Sequence, residues 1–416
     1  MQRCAPEHST SVSRRSGIFP SGARWRIDAP AQPNGIGLVF SPGYGVGPAS
    51  EAPIAPTVEV ANRLLNAGYT LAGATYPSAG WSVADGLVQQ PELVALVRSS
   101  HPDITRVIGW GHSMGGLVTV GLIESSTPSI EAAFVLCGSL AGPVAMLDQA
   151  FDSAFVLQVL LGQDEPQLSD ADDVVRAEAA SRVMAAAAVT AEGRARIALG
   201  AAIGQLPTWA VLDTSRPRPT DPEAQAAQQR QVYLRSAFAP RSDIVARAGG
   251  NPSGNIGVDY AAQLAASGSD DLVRAMYLLS SADLDADLAT LADAARMRAD
   301  PSAVARLRTM LTPSGAIRGP VVTVWCTGDV APTVSQARVF GDAVEAAGHT
   351  DQLRQFFVDR PGHVPSDGEI IAALDVLVSR IRTGTWPEVD ASSAENDVRF
   401  ISMVPPVFLR PDRLAA

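Results

Sequence analysis

Ser113 is the residue whose surroundings could support covalent chemistry. It stands in Gly111-His112-Ser113-Met114-Gly115-Gly116, a GxSxG pattern between the apolar run RVIGW (residues 106–110) and the helix-like GLVTVGLIE (residues 116–124). A strand, a sharp turn and a helix are the context that a nucleophile elbow requires. Glycines are needed there because the turn leaves no room for Cβ atoms against the neighbouring strand and helix. Such a turn lifts the Ser113 hydroxyl above the carboxyl edge of a sheet and beside the first N–H groups of a helix, where negative charge is favoured. A hydroxyl is a weak nucleophile until a base takes its proton, and the base must itself be oriented by an acid.

Of the five histidines, His8 lies in a polar N-terminal stretch, His101 precedes a proline in a loop, and His112 is part of the elbow. His349 reads as the C-terminal cap of a helix. His363, in Asp359-Arg360-Pro361-Gly362-His363, falls between the last apolar run (LRQFFV, 353–358) and a closing helix around 369–382, so it is placed to return over the strand ends. The acid belongs after the preceding strand, and Asp329 sits in a Gly-Asp turn directly after VVTVWC (321–326). The competing position after AAFVLC (132–137) reads Gly-Ser-Leu-Ala-Gly and offers no carboxylate. The order Ser113, Asp329, His363 is that of nucleophile-elbow folds. Two backbone donors would stabilise a tetrahedral oxyanion: the N–H of Met114, and that of Tyr44 in Ser41-Pro42-Gly43-Tyr44-Gly45, the loop after GIGLVF (35–40).

Around these residues the chain alternates short apolar runs with helical stripes. Strands are expected at 35–40, 69–76, 106–110 and 132–137, with helices at 57–67, 82–99 and 115–125, which argues for a mostly parallel sheet covered on both faces. From about 140 to 310 the chain is Ala-rich and helical in pattern, with Phe151, Phe155 and Val159 on one stripe, before strand signals resume at 321–326 and 353–358. The expected organisation is an arm over 1–23, a core at 24–140 and 311–382, a helical cap at 141–310 inserted between two sheet strands, and a docking tail at 383–416. The tail contains RFISMVPPVFL, whose Pro405-Pro406 forbids a helix and points to extended docking on the same chain or across a dimer.

Other patterns fail on counting. The Gly43–Pro48 stretch lacks the third glycine of a dinucleotide fingerprint. Asp283, Asp285 and Asp287 have calcium-loop spacing, but Leu288 and Ala294 stand where the turn glycine and bidentate Glu belong, so these acids read as a solvated helix face. Asp170, Asp172 and Asp173 read as helix-start acids. With no HExxH and no clustered histidines, no metal is expected. Cys4, Cys137 and Cys326 form no CxxC pair, and the last two read as small buried hydrophobes.

The net charge of −11 disfavours nucleic acid as a partner, and all 32 basic residues are arginine, which excludes Schiff-base and pyridoxal-phosphate chemistry as well as the P-loop lysine. No secretory h-region follows the N-terminal arginines, and the apolar run at 107–123 is too short and punctuated for a membrane span. The expectation is a soluble, cytoplasmic protein with no membrane partner.

Strand-Ser-Pro-Gly-Tyr-Gly, the Gly-His-Ser-Met-Gly-Gly elbow, the Gly-Asp turn and the Pro-Gly-His loop, in that order, resemble the α/β-hydrolase superfamily over residues 24–140 and 311–382. Pro42 departs from the family's frequent His-Gly in the oxyanion loop, and a serine nucleophile argues against its epoxide hydrolases and haloalkane dehalogenases. The resemblance implies an α/β fold with a parallel, doubly covered sheet and a triad of Ser113, Asp329 and His363, without a cofactor. The substrate expected is a small molecule: an ester or lactone, bulky and mostly uncharged, because no arginine clamp is obvious. An amidase or aminopeptidase with the same triad, or a catalytically silent binding protein, are the alternatives. Tyr44, Trp81 and His112 are candidate pocket residues, burial being the equal alternative for Trp81.

Overall fold

The computed structural model describes residues 11–45, 50–127, 129–162, 173–239, 241–388, 398–408 and 410. His8 and Cys4 therefore lie outside the described residues. Two antiparallel strands open the fold, β1 (Val12–Ile18) and β2 (Arg24–Pro30), with Val12 opposite Pro30 and Ile18 opposite Arg24. Of the arm expected over residues 1–23, residues 12–18 are thus a paired strand, and residues 1–10 lie outside the described residues. The β1 side chains are almost all exposed, so no apolar alternation marks the strand. It is held instead by Gly17, where a Cβ would come within 2.6 Å of the Trp25 ring, and by Asp28, which accepts from Arg14 at 3.0 Å and from Arg26 at 2.5 Å. Burial works to raise the Asp28 pKa, but hydrogen bonds from the two guanidiniums hold it below the usual carboxylate range.

The central strands are β3 (Ile36–Ser41), β4 (Thr70–Ala74), β5 (Arg106–His112) and β6 (Ala132–Leu136). β3 pairs in parallel with β4 and β5, and β5 with β6. β3, β4 and β6 are buried along their whole length, which is why the sequence shows continuous apolar runs there rather than alternation. The crossovers are α1 (Val58–Asn66), α2 (Val83–Ser100) and α3 (Met114–Glu124). α1 turns Val60, Ala61, Leu64 and Leu65 inward, and its first turn is capped by the Thr57 hydroxyl, which accepts from the Val60 N–H.

Between β6 and the next strand lie nine helices among the described residues. They are α4 (Gly142–Leu161), α5 (Asp173–Ala187), α6 (Ala191–Ile203), α7 (Pro222–Ala237), α8 (Ser242–Ala248), α9 (Tyr260–Ala266), α10 (Asp270–Leu278), α11 (Leu284–Asp293) and α12 (Pro301–Thr309). The fold closes with β7 (Val321–Gly328), α13 (Ser335–Ala346), β8 (Leu353–Pro361), α14 (Asp367–Thr383) and β9 (Phe400–Ile401). The sheet order is β1-β2-β4-β3-β5-β6-β7-β8-β9. The contacts separate two compact units, one of residues 1–136, 317–322 and 366–389, the other of 137–316, 323–365 and 390–416. The boundary falls inside β7, after Val322.

The insertion has its own core. The expected stripe on α4 stacks Phe151 on Phe155, and Phe155 stacks on Tyr260 at 5.4 Å; these rings pack with Leu199, Ala202 and Leu264. By length and hydropathy α4 could cross a membrane, but it carries two buried acids, Asp148 and Asp152. Asp170 and Asp172 lie outside the described residues, whereas Asp173 does begin α5. Asp283 caps α11. Asp287, expected on a solvated face, is instead buried between Arg196, which donates at 2.8 Å, and the Tyr277 hydroxyl, also at 2.8 Å. Residues almost a hundred positions apart make that pair, so helical period alone could not reveal it.

The described tail residues are attached at several points. β9 pairs antiparallel with β8, placing Phe400 over Phe356 at 4.4 Å, and the Val407 carbonyl accepts from Gln205. Val404 remains exposed, and Leu409 lies outside the described residues. The firmest attachment is polar. Arg410, buried, donates to the Gly254 carbonyl and reaches the Asp152 carboxylate at 2.7 Å. Tyr260 and Gln263 donate to the same carboxylate. Burial nevertheless raises the Asp152 pKa to about 6, ahead of the lowering effect of Arg410. Arg410→Met should therefore raise that pKa further. It should destabilise the protein by about 3–5 kcal/mol at pH 8, where Asp152 is left charged, and clearly less at pH 5, where Asp152 is protonated. Urea unfolding at the two pH values checks both the size and the sign.

Candidate active site

In the first unit the elbow is built from close backbone contacts. β5 ends at His112, α3 begins at Met114, and Ser113 between them has φ +60° and ψ −125°. Positive φ in a residue with a Cβ costs about 1–3 kcal/mol and persists only where neighbours enforce it. Here a Cβ on Gly115 would lie 1.9 Å from the Ser41 carbonyl oxygen and 2.6 Å from that of Pro42. One on Gly111 would lie 2.2 Å from the Gly115 carbonyl oxygen. The Ser113 N–H donates to the Leu136 carbonyl at 3.0 Å, tying the turn to β6. Met114 is the first helical residue, so its N–H has no acceptor within the helix.

The loop after β3 runs alongside. A Cβ on Gly43 would stand 3.2 Å from the Ser113 Cβ and 3.3 Å from the His112 carbonyl oxygen. The Gly45 carbonyl accepts from the Gly80 N–H at 2.6 Å, fixing the far side of Tyr44, whose side chain is exposed. A cavity of about 250 Å³ opens there, lined by Pro42, Gly43, Tyr76, Ser78, Ala79 and Met114 among others. Trp81 is buried beside this stretch, and His112 is half-buried next to Gly43. Tyr76 was not singled out from sequence. Its position at the end of β4, before Pro77, was the available signal.

The second unit holds the acid and the histidine. Asp329 is 2% exposed in the turn after β7; one oxygen accepts from the Ala331 N–H at 2.9 Å and the other contacts His363 Nδ1 at 2.6 Å. The two loops meet because residue 328 is glycine: a Cβ there would lie 2.2 Å from the Trp209 carbonyl oxygen and 2.6 Å from the Pro361 Cα. His363 Nδ1 is the ring nitrogen held to the carboxylate. Cys137 joins this pair, with its sulfur, the Asp329 carboxylate and the His363 ring within 4.8 Å of one another. Cysteine, aspartate and histidine could form a metal-ligand set, but burial, reinforced by Cys326 and Asp329, pushes the Cys137 thiol well above its usual pKa. A neutral thiol beside an Asp–His pair suits a packed wall better than a metal site, which needs the thiolate. The structure thus brings together Ser113, Met114 and the Gly43–Tyr44 loop in one unit, and Asp329 with His363 in the other.

No protein-family model matches the chain. It is similar to an o-phthalyl amidase of Xanthobacter agilis, 25% identical with 97% of each chain covered. Among solved structures it is similar to an esterase of Pyrococcus furiosus (10% identity, 92% and 93% of the two chains, TM-score 0.39). It is also similar to an esterase from Aspergillus oryzae (12% identity, 91% and 81%, TM-score 0.43).

The clash distances at the elbow set a test. Gly115→Ala should cost more than about 3 kcal/mol or prevent soluble expression, because the obstructing atoms are backbone carbonyls that cannot rotate away. Gly348→Ala, with nothing within 4 Å of the added carbon, serves as the glycine control. Its positive φ should make it mildly destabilising only. Thermal melts of the two variants distinguish the cases.

Proposed function

We propose, taking the α/β-hydrolase fold of this chain as the premise, that it is a serine hydrolase cleaving a carboxylic acyl bond through an acyl-enzyme. Two observations, each within one unit, support this: the strained Ser113 turn at the head of α3, and the 2.6 Å contact of His363 Nδ1 with buried Asp329. In this reading His363 Nε2 takes the Ser113 proton as Oγ bonds to the acyl carbon, and the carbonyl π electrons move onto oxygen. The N–H groups of Met114 and Tyr44 receive that oxyanion. As the tetrahedral intermediate collapses, the bond to the leaving group breaks and His363 delivers its proton there. Water then repeats the sequence on the acyl-enzyme and frees the acid. The steps call for no cofactor.

Esters and lactones on one side and amides on the other differ in how much the leaving group needs that proton. An alkoxide can depart with partial protonation, whereas an amine must be protonated as C–N breaks. The similarity to an amidase over 97% of each chain favours the amide reading over the ester or lactone expected from sequence. A fluorophosphonate should label Ser113 stoichiometrically. Ser113→Ala should lose about 10³-fold or more in kcat, and Asp329→Asn and His363→Ala should each cripple acylation while leaving the fold intact. A panel of aryl esters, lactones and aryl amides then sets the bond preference. Turnover by Ser113→Ala close to that of the parent protein rejects the reading.

A further inference from the structure

Entirely within the second unit, residues of α4, α5, α7, α8 and the turn at 330–336 line a cavity of about 100 Å³. Its wall is largely apolar, with Met146, Leu147, Ala150 and Ile244 among its residues. Among the described residues the only charged ones lining it are Arg176 and Arg241. Both are buried, at 4% and 7% exposure. Arg176 Nη1 meets the Asp173 carboxylate at 2.8 Å. That carboxylate also accepts from the backbone N–H groups of Arg241 and Ser242 and from the Ser242 hydroxyl. The Arg241 side chain is met by neutral groups instead: its Nη2 donates to Asn251 Oδ1 at 3.1 Å and to Ser253 Oγ at 3.0 Å. The Nε of each arginine is buried with no acceptor among the described residues.

Neutral acceptors satisfy donors but leave the charge in place, and a buried charge is costly until an opposite one reaches it. Burial first, and Arg176 second, push the Arg241 pKa down to about 10. Asp148 and Asp173 oppose that shift, but neither lines the cavity, and Asp148 accepts from the Gly254 N–H and faces Arg410 at 3.9 Å. The two guanidiniums, set against Asp173, leave one positive charge at the wall. The cost of desolvating an anion rises with the square of its charge, so a largely apolar wall favours a monovalent ion over sulfate or phosphate. The volume is several times the about 10–15 Å³ that one water needs, so a halide fits.

We propose that Arg176 and Arg241 form a binding site for a small monovalent inorganic anion, chloride foremost, inside the second unit. The site is separate from the acyl-hydrolase reading above and holds no part of a substrate. Its ion supplies the charge that both guanidiniums lack, and it joins elements that are far apart in sequence. Arg176 belongs to α5 and Arg241 precedes α8, while Val330 and Ala331 add the turn after Asp329 to the same wall. The Ala331 N–H is the one that donates to Asp329, so a filled cavity steadies the loop that carries this acid.

Thermal unfolding in a chloride series tests the site. The full chain is exchanged into sodium gluconate, whose anion is too bulky for the cavity, and gluconate is replaced stepwise by chloride at constant ionic strength. A ligand that binds only the folded chain stabilises it with the logarithm of its concentration above Kd. The Tm of the parent protein should therefore rise by about 1–2 °C for each tenfold increase in chloride, and likewise with bromide. Arg241→Gln should lose this dependence. So should Ala150→Leu, which fills the cavity and keeps both arginines. The slope is what is compared, so a lower starting Tm in either variant leaves the test intact. Crystals grown in bromide should show an anomalous peak in the cavity beside both guanidiniums. A Tm indifferent to chloride overturns the proposal. An equal rise in the parent and both variants does so too, as does bromide found only on the outer surface.

Discussion

The Ser113 turn depends on a backbone approach too close for any side chain, that of Gly115 to the carbonyls of Ser41 and Pro42. The contact sets the first turn of α3 against the end of β3. With β5 fixed on the other side by its parallel pairing to β3, the residue between has only a left-handed conformation available, and that residue is Ser113. The strain of about 1–3 kcal/mol at such a residue is small beside what holds the helix in place. α3 buries Leu117, Val118, Val120, Leu122 and Ile123, each contributing about 1.5–3 kcal/mol on burial. The same packing explains why α3 has no polar face: its surroundings are apolar on nearly every side. Strain at Ser113 is thus maintained by packing several residues away, and the Met114 N–H and the Gly43 loop are positioned by the contact that creates it.

A parallel arrangement supports the second half of the site. Gly328 lets the Asp329 turn press against Pro361 and the Trp209 carbonyl, so a residue of the insertion is part of what shapes the loops that carry Asp329 and His363. Other bonds extend this support. The Ala141 N–H donates to Gln336, and Gln149 on α4 donates to Thr333 and to the Gly204 carbonyl. These buried polar bonds join the start of the insertion to the turn that follows Asp329. They explain why the compact unit containing the insertion also contains residues 323–365. The insertion is a structural partner of Asp329 and His363.

What could be read from sequence follows from which interactions are local. Ser113 was legible because the elbow needs glycine at fixed offsets and apolar runs on both sides. The buried strands were legible because parallel strands covered on both faces read as continuous hydrophobic segments, as in VVTVWC, which became the first six residues of β7. Asp329 and His363 were placed by chain order, and their side chains meet at 2.6 Å. β1 was missed because its residues are exposed on both faces and its partner, not its own pattern, makes it a strand. Asp287 was misjudged because a helical acid looks the same whether it meets water or Arg196. The Arg176 and Arg241 pair was invisible for a related reason: 65 positions separate two of the 32 arginines, and only the packing of the insertion's helices brings them to one cavity.

That pair stands out against the way this protein treats its other buried charges. Lysine is absent, so interior carboxylates are met by guanidinium forks. Asp28 receives Arg14 and Arg26, Asp287 receives Arg196 through two bonds, and Asp152 receives Arg410. At Asp28 the geometry offsets desolvation within the chain, as its depressed pKa shows. The Asp152 pair is the marginal one, with burial outweighing Arg410 in setting the pKa. Arg241 departs from the pattern: among the described residues its side-chain hydrogen bonds go to an amide and a hydroxyl, and its Nε meets no acceptor. Neutral acceptors satisfy donors but leave the charge uncompensated. On the wall of its cavity Arg241 lies beside Arg176, whose aspartate, Asp173, is shared with three other donors, so among the described residues this is the protein's most weakly compensated pair of buried guanidiniums.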